Sequence, residues 1–325
     1  MSEENTFREL AEVALQRNPQ LAGMEVIVEK ELLLYELLNV LQRGRWLDGL
    51  TFQGGTALRL CYGSSRLSED MEFSGGPDFS ATTMDRLAAY LEQALSDRGL
   101  GVEVRPPKNL ASRRPSGGGV STWRISFEVR PRQRDVPRQM VKLDIDNAPV
   151  HTEGPGAIAQ NYGVTRTSEM LVRVQSREEI LASKLVAFPD SVANQDRPRY
   201  RDVWDMNWLT RTGTTVREDL LRFKLDDRRL DRPWLETAAM KAGDIVRSSE
   251  FASEMRRFLL PHVAEDTLDN PMYMEFLATE TARLMRLADS CLDEQSHNNS
   301  GRSQSGRRSP STAGEVSPRT STLSD

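Results

Sequence analysis

A pair of glycines beside cationic side chains is the first feature of this sequence that could do chemistry. Gly54 and Gly55 follow a short apolar run and precede a helix-like segment that begins at Thr56. Paired glycines at a strand-to-helix junction leave backbone N–H groups open to an anion at the positive end of the helix. The Thr56 hydroxyl and the fixed charges of Arg59 and Arg66 lie near the same loop. We therefore predict a phosphate-binding loop.

Two carboxylates follow this loop at alternate positions. Asp70 and Glu72 are separated by one residue, so on a strand both side chains point to one face. Mg²⁺ prefers hard oxygen ligands and usually binds through one or two carboxylates together with substrate phosphates. Either fragment alone is also compatible with a tight turn or with the solvated face of an edge strand. In this order, the two fragments indicate an enzyme that works on nucleoside triphosphates.

A third carboxylate is expected on a neighbouring strand if two metal ions assist an in-line phosphoryl displacement. Alternation along the run from 140 to 146 places Lys142, Asp144 and Asp146 on one face of a strand. Asp144 lies in the middle of this run and is the preferred metal ligand. Asp146 borders the strand exit and remains the alternative, and an exposed acidic strand end is the other interpretation of that residue.

Two charged residues on later helices complete the candidate site. Ser176 and Glu179 have the spacing of a capping box that starts a helix, on which Lys184 interrupts an apolar stripe. Lys184 either extends its ammonium to water along the apolar surface or directs its charge at triphosphate oxygens. A second helix from about 200 to 209 carries Asp202, whose simplest role is an ion pair with a neighbouring side chain.

Taken together, these motifs resemble the AbiEii/AbiGii-type nucleotidyltransferase toxins, including the MenT-like branch, within the DNA polymerase beta-like nucleotidyltransferase superfamily. The resemblance covers roughly residues 25 to 290. One departure is that the family often has Asp where this chain has Glu72, which could alter metal spacing. The matching residues are Gly54-Gly55-Thr56-Ala57-Leu58, Arg66-x-Ser68-x-Asp70-x-Glu72-Phe73, Lys142-Leu143-Asp144-Ile145, Glu178 to Leu185 including Lys184, and Arg201-Asp202-Val203-Trp204-Asp205.

The resemblance implies a nucleotidyltransferase that moves a nucleoside monophosphate from an NTP to an acceptor hydroxyl with the help of two Mg²⁺ ions. It implies an RNA acceptor, specifically the 3′ end of tRNA, and a cognate antitoxin as partner. In this scheme the metal ligands are Asp70, Glu72 and Asp144, the nucleotide-binding residues are Gly54, Gly55, Thr56, Arg59, Arg66 and Ser68, and the other catalytic residues are Lys184 and Asp202.

Two further expectations concern Asp202 and Ser68. Family resemblance suggests that Asp202 orients Lys184 or the incoming nucleotide, with Asp205 as the weaker candidate. Ser68 lies two residues before Asp70. A phosphate on Ser68 would add roughly −1.5 to −2 charge beside the proposed metal and triphosphate. The resemblance implies that an antitoxin can silence the toxin in this way, although other related systems use the antitoxin differently. The simpler interpretation of Ser68 is a hydrogen-bonding loop residue.

Two other functions remain open at this point. One is transfer of the nucleotide to a small molecule or to a protein hydroxyl. The other is a non-catalytic nucleotide-binding partner protein, which would bind Mg-NTP without turnover.

Composition narrows the class of protein. The chain has 325 residues, of which 38% are hydrophobic and 28% charged, which favours two lobes. Its net charge of −5 argues against a protein that coats nucleic acid non-specifically. Two local basic segments, at 105–119 and 130–138, are either solvated loops or a groove for an RNA backbone. No signal peptide or membrane span is apparent, the two cysteines form no redox or metal spacing, and we expect a cytoplasmic protein.

The predicted fold class is α+β, with a nucleotidyltransferase-type mixed sheet core, an N-terminal helical segment and a C-terminal helical lobe. Strand-like runs lie near 49–53, 70–73, 101–105, 121–130 and 139–146, and a helix at 82–98 should pack on their sheet. We expect residues 1–174 to form the core with its N-terminal helices and residues 175–294 to form the helical lobe. Residues 295–325 lack apolar periodicity, which indicates a disordered tail.

Overall fold

The computed structural model of the protein describes residues 4–108, 119–128, 138–164, 170–194, 197–228 and 232–302. Most of the two basic segments and the chain after 302 lie outside the described residues. The predictions of an RNA groove there, and of a disordered tail after 302, therefore stay predictions.

Two helices precede the sheet, as the sequence indicated. They are α1 (Glu4–Arg17) and α2 (Glu25–Arg43). Helix α2 carries a run of apolar residues from Leu32 to Leu38 that is buried almost throughout. Its apolar face packs toward the sheet, which anchors the N-terminal segment to the core.

Within the described ranges of the chain, seven strands form one mixed sheet. Their order is β3-β4-β5-β2-β1-β7-β6, in which the pairs β2–β5 and β1–β7 are parallel and the remaining pairs are antiparallel. The strands are β1 (Thr51–Gln53), β2 (Met71–Ser74), β3 (Gly101–Arg105), β4 (Val120–Glu128), β5 (Gln139–Asp146), β6 (Glu153–Ala157) and β7 (Leu171–Gln175). The five predicted strands are confirmed, and β6 and β7 were not predicted.

Alternation along β5 divides the sheet into an apolar face and a polar face. Val141, Leu143 and Ile145 are at most 1% exposed, whereas Lys142 and Asp144 are partly exposed. In the parallel pairing of β2 with β5, Glu72 is the partner of Asp144. The topology therefore brings two of the predicted carboxylates onto adjacent strands.

Short helices connect the strands of the core. Helix α3 (Gly54–Tyr62) follows β1 directly. Helix α4 (Leu87–Ser96) is shorter than the predicted 82–98 segment, because a 3₁₀ turn at Ala81–Met84 precedes it. Gly99, with φ of +76°, follows the end of α4, where a left-handed backbone conformation favours glycine.

Among the described residues, seven helices follow the sheet and form the predicted helical region. They are α5 (Arg177–Asn194), α6 (Tyr200–Arg211), α7 (Glu218–Arg228), α8 (Arg232–Arg247), α9 (Ser249–Arg256), α10 (Pro261–Thr267) and α11 (Pro271–Arg302). Ser176 Oγ accepts the Glu179 N–H at 3.1 Å, as its predicted capping role requires. Helix α11 runs past 295, so the predicted start of the tail falls inside this helix.

Sheet and helices share one apolar core. Buried side chains from Phe7 in α1 to Ala288 in α11 form one contiguous cluster. The predicted domain boundary at 174 falls within β7, where the chain passes from the sheet to α5. Among the helices of the described ranges, none combines the length and apolar character required to cross a lipid bilayer.

Candidate active site

A polar cavity of about 370 Å³ lies between the sheet and the helical region. Nine of the residues predicted from sequence line it: Gly55, Thr56, Arg66, Ser68, Asp70, Glu72, Asp144, Lys184 and Asp202. The other lining residues are Lys142, Arg197, Pro198, Arg199, Tyr200, Arg201 and Glu254. Gly54 and Arg59 are not part of the lining.

Hydrogen bonds from neighbouring strands orient the side chains of Asp70 and Asp144. Asp70 precedes β2, and its Oδ1 accepts the Lys142 backbone N–H at 2.9 Å, which extends the β2–β5 ladder by one residue. Its Oδ2 lies 3.4 Å from the Lys142 ammonium. Asp144 Oδ1 accepts a 2.6 Å hydrogen bond from Thr122 Oγ1 on β4. Both carboxylates are thus oriented by the sheet.

Asp146, the alternative to Asp144, lies outside the cavity. Its Oδ2 accepts from Gln53 Nε2 at 2.7 Å and its Oδ1 accepts from the Ala148 N–H at 3.1 Å. These contacts tie the end of β5 to β1 and to the following turn. The geometry therefore favours Asp144 over Asp146 as the residue that faces a substrate.

The carboxylates of Glu72 and Asp144 are less acidic than usual. Burial raises the pKa of Glu72, against the opposing charges of Arg199 and Lys184. Burial also raises the pKa of Asp144, and the charge of Asp70 adds to this effect against the Thr122 hydrogen bond. Like charges in one cavity account for part of both shifts.

Glu72 is packed against the glycine loop. Gly54 begins α3 with φ of +76°, and a Cβ added there would overlap the Glu72 carboxylate. At Gly55, an added Cβ would overlap the Arg66 guanidinium. The glycines therefore allow buried charged side chains to approach the backbone, a role that sequence alone did not suggest. Contact of this loop with phosphate stays a prediction.

Thr56 and Ser68 connect the loop to Asp70. Thr56 Oγ1 donates to the Asp70 carbonyl and therefore accepts, at 2.7 Å, from Ser68 Oγ. Thr56 is 1% exposed and Ser68 is 4% exposed. Both hydroxyls thus fix the entry to β2, at the edge of the cavity.

The predicted metal site of Asp70, Glu72 and Asp144 stays a prediction, although all three residues line the same cavity. In the part of the chain that the structure describes, no group of three or more His, Cys, Asp or Glu residues is arranged to hold a metal ion. Glu72 lies against Gly54, where Arg199 and Lys184 offset its charge. Asp70 and Asp144 still fit Mg²⁺, because this ion commonly uses one or two carboxylates and completes its shell with water and phosphate.

Five charged residues, Arg66 from the segment before β2 and four from the helical side, form a continuous network. Arg66 is a bidentate partner of Asp205, with both N–O distances 2.8 Å. Lys184 Nζ lies 2.8 Å from Asp205 and 2.7 Å from Asp202. Arg199 Nε donates to the other oxygen of Asp202 at 2.6 Å. Cations and carboxylates thus alternate along the network, in the order Arg66, Asp205, Lys184, Asp202 and Arg199.

This network keeps its buried members ionised. Burial opposes the charge of Asp202, yet Arg199 and Lys184 hold the pKa of Asp202 below its ordinary value. Burial also opposes the charge of Lys184, but Asp202 and Asp205 hold its pKa above the usual range. Lys184 is 7% exposed and contacts two carboxylates, so it does not simply extend to water.

One predicted nucleotide-binding residue lies away from the cavity, and the weaker candidate Asp205 lies behind it. Arg59 was predicted to contact the nucleotide, but its Nε lies 3.0 Å from Glu31 Oε1 and its Nη1 donates to the Ser64 carbonyl. The pair stabilises the packing of α2 on α3. Asp205 is fully buried between Arg66 and Lys184 and does not line the cavity. It therefore contributes to the site by holding these two cations in place.

The segment from 197 to 201 contributes most of the residues that sequence reasoning missed. Arg197 donates to Glu254 at 2.8 Å, and the Arg201 guanidinium lies 4.8 Å from the centre of the Phe258 ring. The available signal was three arginines at alternate positions around the start of a helix. Such a cluster of fixed positive charges at the wall of a polar cavity suits an anionic ligand.

A family model described as "Nucleotidyl transferase AbiEii toxin, Type IV TA system" matches residues 36–282. Among solved structures, that of JHP933 from Helicobacter pylori is 20% identical with a TM-score of 0.45, covering 85% of this chain and 97% of that chain. A second H. pylori structure, of a candidate nucleotidyltransferase, is 19% identical with a TM-score of 0.40, covering 79% and 96%. No curated protein matches the chain.

Proposed function

Since the chain belongs to the AbiEii family of nucleotidyltransferase toxins, we propose that it transfers a nucleoside monophosphate from an NTP to an RNA hydroxyl, specifically at the 3′ end of tRNA. The observation that carries the proposal is the cavity itself. One side presents Asp70 and Asp144 from the sheet, and the other presents the network of Lys184, Asp202 and Arg199 from the helices. An NTP has a metal-binding, anionic triphosphate that suits both sides.

In the proposed reaction, the acceptor hydroxyl gives up its proton to water, and its oxygen forms a bond to the α-phosphorus. The bond from this phosphorus to the bridging oxygen breaks, and pyrophosphate leaves. Mg²⁺ held by Asp70 and Asp144 would offset the triphosphate charge and favour the deprotonated acceptor. The proposal also includes a second Mg²⁺ ion and Glu72 as a further ligand of these ions.

The residues of the chain have separate tasks in this scheme. Thr56 and the Lys142 backbone N–H orient Asp70, and Thr122 orients Asp144. Asp202 and Asp205 hold Lys184 in its charged form at the cavity wall. A fixed positive charge placed there stabilises negative charge that develops on the leaving pyrophosphate.

The family description supports an antitoxin as partner. Ser68 offers one means of control, because its Oγ donates to Thr56 at the cavity edge. A phosphate on Ser68 would break this hydrogen bond and place negative charge beside Asp70. Intact mass after coexpression with the neighbouring gene product tests this idea, and a chain without the added mass of a phosphate counts against it.

Labelled nucleotides test the reaction directly. Purified protein is incubated with total RNA, Mg²⁺ and each NTP in turn, labelled either at the α- or at the γ-phosphate. Transfer of the α-label to RNA, without the γ-label, is the expected result. Label in protein or in small molecules would favour a different acceptor, and binding of NTP without any transfer would favour a non-catalytic partner protein. Because the proposed substrates are an NTP and RNA, we also propose that the reaction takes place in the cytoplasm.

A further inference from the structure

Arg199 differs from the other cations of the charged network in its exposure. The side chains of Arg66 and Lys184 are 3% and 8% exposed, whereas that of Arg199 is 46% exposed. All three line the cavity, but Arg199 is the member that solvent, and hence a dissolved ligand, can reach. We propose that Arg199 binds the β- and γ-phosphates of the NTP. This inference rests on the proposed function.

The position of Arg199 is fixed through its backbone. Its N–H donates to Ser191 Oγ at 3.0 Å, and Ser191 Oγ in turn donates to the Phe188 carbonyl at 2.7 Å. Ser191 is fully buried near the end of α5. Pro198 precedes Arg199 and restricts the backbone further. The start of α6 is thereby attached to α5 at the cavity.

The guanidinium is held in a fixed direction as well. Its Nε donates to Asp202 Oδ2 at 2.6 Å, and no hydrogen bond joins either Nη atom to another of the described residues. A guanidinium can bind one anion through Nε and present its remaining N–H groups to a second anion. Phosphate oxygens have the geometry that such a pair of donors binds best.

The charges of the network favour the same assignment. Arg66, Lys184 and Arg199 form ion pairs with two carboxylates, Asp205 and Asp202, and Arg199 and Lys184 also offset the charge of Glu72. Asp205 and Asp202 are buried, and Lys184 and Arg66 contact them directly. Arg199 is the exposed end of this network, so its charge is the one that an anionic ligand can meet directly.

The other exposed cations at the cavity are already engaged. Arg197 Nη2 lies 2.8 Å from Glu254, and the Arg201 guanidinium lies over the Phe258 ring. Lys142 lies 3.4 Å from Asp70, where its charge offsets a proposed metal ligand. Arg199 is also paired, with Asp202, but through Nε, so among the described residues its Nη atoms have no hydrogen-bond partner beside the Lys184–Asp202 pair.

Binding measurements with a series of ligands test this inference. Titration calorimetry would compare wild type with Arg199→Gln, using an α,β-methylene NTP and the corresponding nucleoside monophosphate, both in Mg²⁺. We expect Arg199→Gln to weaken binding of the NTP analogue about tenfold or more, since a charged hydrogen bond is lost. Binding of the monophosphate, which lacks the β- and γ-phosphates, should be unchanged.

Two further variants make the test specific. Arg247 is 50% exposed and lies 2.7 Å from Glu275, outside the cavity, so Arg247→Gln is a matched control that should bind the analogue as wild type does. Arg199→Lys keeps a charge near Asp202 but lacks the fork of donors. It should fold even if Arg199→Gln does not, and it should still bind the analogue more weakly than wild type.

The outcomes separate this inference from the function on which it rests. Equal weakening of both ligands by Arg199→Gln would indicate a purely structural role and overturn the inference. Unchanged binding of the analogue by both Arg199 variants would overturn it too, with the proposed function intact. A wild-type protein that binds no NTP analogue would overturn both.

Discussion

Arg66 and Asp205 form a bidentate ion pair across 139 positions of the chain, with each N–O distance 2.8 Å. Arg66 lies in the segment that leads into β2, and Asp205 lies on α6. The pair fixes α6 against the loop that carries Asp70. The position of Asp202, one turn earlier on α6, therefore depends on a contact made behind the cavity.

Removing one member of this pair should destabilise the protein strongly. Asp205→Asn leaves Arg66 and Lys184 buried with less compensating charge, and we expect a loss of about 3 kcal/mol or more in the free energy of unfolding. Urea denaturation measures this loss. Glu275→Gln, which breaks an exposed pair with Arg247, is the control and should cost about 0.5 kcal/mol or less. Equal losses in the two variants would contradict the role given to Asp205.

Stability at acid pH should depend on Asp202. Its folded-state pKa lies below that of the unfolded chain, so its contribution is complete above the unfolded value of about 3.9 and is lost as pH falls toward the folded value. We expect the wild-type free energy of unfolding to fall as pH drops below about 4, and the decline to be shallower in Asp202→Asn. Urea denaturation at several pH values tests this. An equally steep decline in the variant would show that Asp202 is not the group responsible.

The glycines at the two ends of α3 provide a matched pair of substitutions. Gly54 has φ of +76° and Gly63 has φ of +78°, but an added Cβ overlaps Glu72 at Gly54 and meets nothing within 4 Å at Gly63. Alanine at either site should cost about 1 to 2 kcal/mol of stability through backbone strain. Gly54→Ala alone should reduce nucleotide transfer, roughly 100-fold, because the Glu72 carboxylate must move. Full transfer by Gly54→Ala would mean that the position of Glu72 does not matter to the reaction.

Asp144 and Asp146 should differ in their effect on activity. Asp144→Asn removes a carboxylate from the cavity and should lower transfer of labelled nucleotide to RNA by roughly 100-fold or more. The raised pKa of Asp144 shows that its charge is unfavourable in the fold, so the same variant should be at least as stable as wild type at neutral pH. Asp146→Asn should retain transfer, because Asp146 bonds to Gln53 and Ala148 away from the cavity. The reverse pattern of activity would assign the substrate-facing role to Asp146.

The sequence was informative where a local pattern decides the structure. Alternation in β5 correctly separated Lys142 and Asp144 from the apolar residues of that strand. By contrast, β6 has the sequence Glu-Gly-Pro-Gly-Ala, which shows neither apolar alternation nor high strand propensity. Its strand conformation depends on antiparallel pairing with β7, a tertiary contact that no short window reveals.

Distant pairing explains the errors at the candidate site. Arg59 was close in sequence to the glycine loop, but its partner Glu31 lies 28 positions earlier and directs it away from the cavity. Arg199 was missed because it lies just before α6, whereas the helical pattern that identified Asp202 begins after it. In both cases the residue type was visible, while the partner that sets its orientation was visible only after folding.

The cavity lining is drawn from positions as far apart as Gly55 and Glu254, and Glu72 meets Asp144 only after β5 has paired with β2. The ribosome must therefore synthesise most of the chain before the candidate active site can form. Premature termination products that end before α5 contain the glycine loop and all three sheet carboxylates, yet lack Lys184, Arg199 and Asp202. Synthesis from the N-terminus should thus withhold the proposed activity until the lining residues of α5, α6 and α9 have been added.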